Sequence, residues 1–183
     1  RQMCIRDSIG NLPHLQDITT KLELLNSMGS SINFHEDGFI EINSSNILLP
    51  EARYELVKTM RASILVMGPL VARYGKAKIS QPGGCDIGTR PIDFHLSGLE
   101  KMGAEITSDS RYIYLKAKKL NPIDFSFPKV SVTGTENLMM AATLIDGTTT
   151  LKNCAKEPEV LELANYLNSC GAVSYTHLTL PTN

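Results

Sequence analysis

Tryptophan is absent from this 183-residue chain, and cysteine occurs only four times. The cysteines stand at positions 4, 85, 154 and 170, with no CxxC pair and no metal-ligand spacing. That scarcity excludes a disulfide-stapled scaffold and a zinc ribbon, and a reduced, cytoplasmic setting is expected. Neither sign of charge is in excess: the formal net charge is -1, and no basic block occurs. Such a surface offers no grip on nucleic acid or on an anionic membrane face. No apolar run approaches the ~20 residues that span a bilayer. The first residues do not read as a charged-then-apolar signal segment. What is there is an ordinary globular balance, 42% hydrophobic and 20% charged, with enough chain for one domain and a real core.

The two ends read differently from the rest. RQMCIRDS, at residues 1–8, is encoded by CGT CAG ATG TGT ATA AGA GAC AG completed by one more base. The reverse complement of that string encodes VSYTHLT, which is residues 173–179. An inverted pair of this kind resembles a transposon-type sequencing adaptor carried into translation. Residues 1–8 and 173–183 are therefore expected to pack poorly and to give the core no side chains. Residues 9–172 are expected to be an internal stretch of a longer gene, and Cys4 and His177 drop out of the chemistry.

Three segments rhyme: LELLNSMGSSINF (22–34), SGLEKMGAEI (97–106) and ELANYLNSCGA (162–172). Each reads as a helix with apolar spacing of three and four, closed by a glycine able to take the left-handed cap: Gly29, Gly103 and Gly171. After the first two comes an alternating pair of strands, SINF with FIEIN and AEIT with YIYLKA. A second helix type alternates with the first. YELVKTMRASILVMGPLVARYG (54–75) and ENLMMAATLIDG (136–147) are apolar nearly all round, which predicts burial. Gly68-Pro69 is expected to kink the first. A strand follows each, KAKISQ (76–81) and TTTLKNC (148–154). The unit is therefore helix, strands, buried helix, strand, recurring at about 70 residues, longer than solenoid repeats. Two full units and the opening of a third predict an α/β fold with buried helices inside and sheets outside. Residues 54–67 and 136–146 should face one another in its core.

Several loops could carry chemistry. In QPGGCDIGTRPIDFH (81–95), glycines allow close ligand approach, and Arg90 would favour a thiolate at Cys85 or bind an anion beside it. Taken alone, the loop reads better as a turn with an incidental free cysteine. Arg90 has the planar fork that grips carboxylate or phosphate, and Pro91 fixes the backbone at a helix entrance. Asp93, in the first turn, is either a ligand contact or a dipole-favoured cap. Lys129-Val130-Ser131-Val132 precedes the second buried helix, where backbone amides and Lys129 make an anion site. A capping box of Thr133 and Glu136 fits the same stretch. Arg61, inside the first buried helix, needs either an ion-pair partner or an anionic ligand. His14, His35 and His95 show no triad or metal spacing and read as structural or surface residues. Cys154 and Cys170 read as buried small apolar residues.

Taken together, LVKTMRASILVMGPLVARYG, QPGGCDIGTRPIDFHLSGLEKMGAEI and KVSVTGTENLMMAATLIDGTTTLKNCAKEPEV resemble the UDP-N-acetylglucosamine 1-carboxyvinyltransferase family of enolpyruvyl transferases. The resemblance covers nearly all of residues 9–172, and its GGC-x-IG-x-RP-x-D loop is specific. The sister family that makes 5-enolpyruvylshikimate 3-phosphate shares the fold but lacks this cysteine loop. It remains an alternative, as does a domain that only binds a UDP-sugar or regulates a partner through a reactive thiol. The resemblance implies an inside-out α/β barrel in each of two domains, of which this chain would be most of one.

It also implies roles. Cys85 would be the general acid that protonates phosphoenolpyruvate and the residue that fosfomycin alkylates. Arg90 would meet the phosphoenolpyruvate anion and the sugar nucleotide. Pro91, Ile92, Asp93 and Phe94 would line the uridine pocket, and Lys129, Val130, Ser131 and Val132 the diphosphate side. Arg61 would be a further substrate-contacting residue. The implied reaction transfers the enolpyruvyl group to the sugar 3-hydroxyl and releases phosphate, the first committed step of peptidoglycan synthesis. No metal or organic cofactor is implied. The family's Lys-Asn pair and its second domain, which brings the expected base and another arginine, are not within this stretch, so the segment alone is expected to be inactive.

Overall fold

The computed structural model describes residues 6–45, 47–57, 60–81 and 92–173. A short strand, β1 (Arg6–Ile9), comes first. The first unit then runs α1 (Gln16–Met28), β2 (Ser31–Phe34), β3 (Ile40–Asn43), β4 (Glu51–Ala52), α2 (Tyr54–Val57), a 3-10 segment (Arg61–Val66), α3 (Met67–Tyr74) and β5 (Lys76–Ser80). The second runs α4 (Asp93–Lys101), β6 (Glu105–Ser108), β7 (Tyr112–Lys116), β8 (Asp124–Ser126), α5 (Val132–Ala142) and β9 (Thr150–Lys152). Helix α6 (Pro158–Ser169) opens a third.

The glycine stops work as the sequence predicts. Gly29, Gly103 and Gly171 follow α1, α4 and α6 with φ of 111°, 103° and 93°, a region costly to any residue carrying a Cβ. The predicted hairpins form, with β2 antiparallel to β3 and β6 antiparallel to β7. Side chains alternate along β7: Ile113 and Leu115 are buried while Tyr114 and Lys116 face out.

Each unit closes on a parallel strand pair bridged by its buried helix. Glu51 of β4 lies opposite Lys78 of β5, and Asp124 of β8 opposite Thr150 of β9. Parallel strands need such a crossover, which explains why an apolar helix sits between them in both units. Strand β5 also pairs antiparallel with β7, joining the units into one sheet of order β4-β5-β7-β6. Helices α3 and α5 pack together beneath it. Met67, Val71, Leu138 and Ala141 form their shared core with Ile79, Leu99 and Leu115. Buried helices inside and sheets outside is the predicted arrangement.

The first buried helix departs from prediction. It is not continuous over 54–75. Residues 54–57 make one α turn, residues 61–66 are 3-10, and regular helix starts at Met67. Pro69 supplies the reason: it has no N–H to give and its ring crowds the carbonyl four residues back, so it is accommodated in the first turn of α3. Gly68-Pro69 thus starts a helix where a mid-helix kink was expected. Within 54–57 only Val57 is buried. At the far end of the 136–146 stretch, Asp146 is exposed.

Residues 6–8, expected to stand apart, add an edge strand: Arg6, Asp7 and Ser8 pair with Asn43, Ile42 and Glu41 of β3. Backbone pairing at a free edge asks little of the added sequence. None of the three side chains enters the core, and Arg6 makes an exposed ion pair with Glu41 at 2.6 Å.

Candidate functional site at two helix starts

The loop from Phe127 to Ser131 leads into α5, and local bonds set its shape. The Phe127 N–H donates to the Lys152 carbonyl at 3.0 Å, and the Asn153 amide donates to the Phe127 carbonyl at 2.8 Å. Ser131 has extended backbone and is the N-cap: its Oγ accepts from the Gly134 N–H at 3.1 Å. The helix therefore begins two residues before the expected box of Thr133 and Glu136. The Thr135 hydroxyl donates to the Ser131 carbonyl at 2.8 Å and accepts from the Ala155 N–H at 3.1 Å, tying the cap to the chain beyond β9. Lys129 and Val130 are left exposed at the mouth of the helix.

Helix α4 starts beside it. Ile92 precedes the helix, Asp93 lies exposed in its first turn, and Ile92 and Phe94 pack their flanks on the core. The next residue, His95, is 2% exposed. Its Nδ1 lies 2.8 Å from the Asn137 amide nitrogen and its Nε2 lies 3.2 Å from the Thr133 hydroxyl. Asn137 is fully buried and its orientation is fixed by its partners. Its Oδ1 accepts from the Gly68 N–H at 2.7 Å, and its Nδ2 faces the Ile64 carbonyl at 3.4 Å. A backbone N–H can only donate, so the amide nitrogen must point to His95. Nδ1 then accepts, and the neutral imidazole carries its hydrogen on Nε2 toward Thr133.

One buried amide thus joins three of the segments read as site-bearing. The stretch 92–94 is tied through His95, the stretch 129–132 through Thr133 and Asn137, and the segment that begins at Arg61 through Ile64 and Gly68. The first turns of α4 and α5 lie side by side, in touch through His95 and Thr133, so their positive dipole ends are neighbours. Lys129, just before α5, and Asp93, in the first turn of α4, are both exposed. Such a place suits a phosphate-bearing ligand held by backbone amides. In the first turns of α5, burial and nearby Glu159 both push the Glu136 carboxyl up.

Cys85, Arg90 and Pro91 lie outside the described residues, as does the side chain of Arg61. His14 and His35 are exposed, as expected of surface residues. Cys154 and Cys170 are half-buried, not fully buried as the sequence suggested. Burial pushes the Cys154 thiol up, against the smaller opposing effect of a Thr135 hydrogen bond. Among the described residues no cluster of three His, Cys, Asp or Glu could hold a metal, and no helix is long and apolar enough to cross a membrane.

Sequence reasoning missed Asn137. The signal was present: a polar amide in the apolar run ENLMMAATL has to find partners once buried. Lys21 was missed as well. It sits in α1 with its Nζ 3.4 Å from the Ala62 carbonyl, and burial lowers it to about 8.

Comparison with known proteins gives the following. Residues 6–177 match the family model described as EPSP synthase (3-phosphoshikimate 1-carboxyvinyltransferase). The span reaches into both end segments read as adaptor sequence. The UDP-N-acetylglucosamine 1-carboxyvinyltransferase of Hydrogenovibrio crunogenus is 57% identical over 164 residues, 90% of this chain and 39% of that one. The proteins of the same name from Magnetococcus marinus and Halorhodospira halophila are 54% and 52% identical, with the same coverage. The chain spans about two-fifths of the length of these relatives. In shape it is similar to the enolpyruvyl transferase NikO from Streptomyces tendae, with a TM-score of 0.74 at 19% identity over 89% of this chain and 38% of that one. An EPSP synthase from Acinetobacter baumannii gives 0.63 at 14% identity over 87% and 38%.

Proposed function

Since the chain belongs to the EPSP synthase family and has the enolpyruvyl transferase fold, we propose that it is part of a UDP-N-acetylglucosamine 1-carboxyvinyltransferase. That enzyme moves the enolpyruvyl group of phosphoenolpyruvate to the 3-hydroxyl of UDP-N-acetylglucosamine and releases phosphate. The observation that carries the reading is the identity shared with curated relatives of that name along almost the whole chain. The adjoining starts of α4 and α5 support it, because a sugar nucleotide needs backbone donors for a diphosphate beside a pocket for its base.

In this reading the sugar oxygen bonds to C2 of phosphoenolpyruvate and its proton leaves to a base in the rest of the enzyme. Cys85 delivers a proton to C3, giving a phosphate-bearing tetrahedral intermediate. The C2–O bond to phosphate then breaks and C3 returns a proton as the double bond re-forms. Two anions must be held together and one proton placed on carbon, work for cations and a positioned acid. Arg90 and Arg61 supply charge. Pro91, Ile92, Asp93 and Phe94 flank the uridine, and Lys129, Val130, Ser131 and Val132 flank the diphosphate. No cofactor enters these steps. The reaction belongs in the cytoplasm, where both substrates are water-soluble anions and thiols stay reduced.

The end segments 1–8 and 173–183 are adaptor translation in this reading, supported by their inverted coding. Sequencing the parent gene across both ends tests that point. The functional test is made on the full-length gene product. With UDP-N-acetylglucosamine present, fosfomycin should label Cys85, and Cys85→Ser should abolish labelling. Cys85→Asp should resist the drug yet keep some turnover, since a carboxylic acid with a raised pKa can still protonate carbon. A fosfomycin adduct found on Cys154 or Cys170 would overturn the assignment.

A further inference from the structure

We propose that His95 and Asn137 are positioning residues for the sugar nucleotide: they set the spacing between the starts of α4 and α5, and Thr133 is the contact through which they do so. The inference rests on the function proposed above and goes beyond it, because neither residue belongs to the substrate-contacting stretches 92–94 and 129–132.

The geometry carries it. Both side chains are buried, at 2% and 0% exposure, in a mostly apolar core. Asn137 reaches α3, the 3-10 segment and α4, and both ring nitrogens of His95 face α5. Asn137 Oδ1 takes the Gly68 N–H, and Asn137 Nδ2 faces both the Ile64 carbonyl and His95 Nδ1. His95 Nε2 faces the Thr133 hydroxyl. Packing alone would not require this. At Gly98, one turn further along α4, the two helices already meet closely, since a Cβ there would run into the Leu138 side chain. Apolar contact at Gly98 and Leu138 holds the helices together lower down. The hydrogen-bonded pair links their first turns, beside the two candidate contact stretches. Hydrogen bonds are directional where apolar contact is not, so losing them loosens spacing before it loses the fold.

The two acceptor-donor roles of His95 can be separated. His95→Gln keeps an N–H at the Nε2 position for Thr133 and loses the acceptor that faces Asn137. His95→Asn keeps an amide beside Asn137 and cannot reach Thr133. Thr133→Val removes only the hydroxyl at a half-buried position, with little risk to folding. In the full-length enzyme, His95→Asn and Thr133→Val should each raise KM for UDP-N-acetylglucosamine by about tenfold, the loss of roughly one hydrogen bond. KM for phosphoenolpyruvate should stay within about twofold, as should kcat at saturation, because the cysteine and arginines of the chemistry are untouched. Combining the two substitutions should cost no more than either alone, since both cut the same link. His95→Gln should retain more of the wild-type KM than His95→Asn.

A merely structural role would lower the active fraction, and hence kcat, and leave both KM values alone. That result overturns the proposal, as do equal rises in both KM values or additive costs in the double variant. An unmutated full-length enzyme that does not turn over UDP-N-acetylglucosamine would sink the functional reading itself, and this inference with it. Normal turnover with no selective KM shift sinks the positioning role alone.

Discussion

The side-chain oxygen of Asn137 accepts the amide hydrogen of Gly68 at 2.7 Å, across 69 positions of sequence. The bond spans the centre of the fold and joins the buried helices of the two units. Gly68 lies buried at the start of α3, directly after the 3-10 segment, and Asn137 gives its amide a side-chain partner there.

Gly68→Ala is the sharpest test of that contact. An added Cβ would collide with Asn137 Oδ1 and with the Asn137 main-chain carbonyl, and the backbone carbonyl cannot swing aside. The loss should be about 2–3 kcal/mol, combining overpacking with a broken buried hydrogen bond. Urea unfolding with an unchanged slope and a lower midpoint is the expected record. An unshifted midpoint would mean that α3 and α5 do not pack this way.

Ser131 makes a milder prediction. Its hydroxyl caps α5, and Gly134 is needed beneath it because a Cβ at that position would press on Ser131 Oγ and the Phe127 ring. Ser131→Ala should destabilise by about 1 kcal/mol and Ser131→Asp by much less. If the cap lay instead at Thr133, as the sequence first suggests, Thr133→Ala would carry the cost and Ser131→Ala would be neutral. Thermal denaturation of both variants decides between them.

The thiols should separate by rate. Burial holds the Cys154 thiol above its ordinary pKa, with the Thr135 hydrogen bond pulling weakly the other way. At pH 8 its thiolate fraction is small, and iodoacetamide should modify it slowly. A cysteine in the 83–85 glycine loop, acting as proposed, should react in the fast phase, and Cys85→Ser should remove that phase. Peptide mapping that finds Cys154 modified first would contradict the burial seen here. Thr135→Val should slow Cys154 further, since it removes the one effect favouring the thiolate.

Much of this fold was open to reading because its signals are local. A glycine after an amphipathic run marks a helix end by itself, and Gly29, Gly103 and Gly171 all serve that way. Alternation in YIYLKA similarly announces a strand with one buried face. Other features depend on distant partners. The 3-10 turn over 61–66 is hidden because a stretch buried on several sides shows no clear helical periodicity to interrupt. Strands β4 and β8 have two and three residues, too few to show alternation, and exist because β5 and β9 lie beside them. His95 gave no spacing signal because its partner Asn137 stands 42 positions away. The candidate site was legible as loops and resemblance. What the sequence could not show was that one buried amide connects them.

Lys21 yields a prediction in pH. Its ammonium, largely taken out of water in α1, has among the described residues only the Ala62 carbonyl at 3.4 Å to replace hydration, and burial lowers it from 10.5 to about 8. The unfolded chain therefore binds more protons than the folded one between about pH 8 and pH 10.5, and stability rises with pH across that window. Below pH 8 the charged form carries its full desolvation cost. Lys21→Met removes the charge and keeps the stem, so the variant should be more stable at pH 7 by about 1–2 kcal/mol, less than the whole shift implies because the carbonyl and residual solvent still help the ammonium. The advantage should shrink steadily above pH 8 and vanish near pH 10.5, where the lysine of the unfolded chain has lost its proton too. Other lysines and tyrosines titrate in the same range, so the quantity to plot is the difference between wild type and variant, from urea midpoints at matched ionic strength. A difference that stays flat from pH 7 to pH 10 would show that Lys21 keeps its proton and its water, and that α1 does not press it against the segment beginning at Arg61.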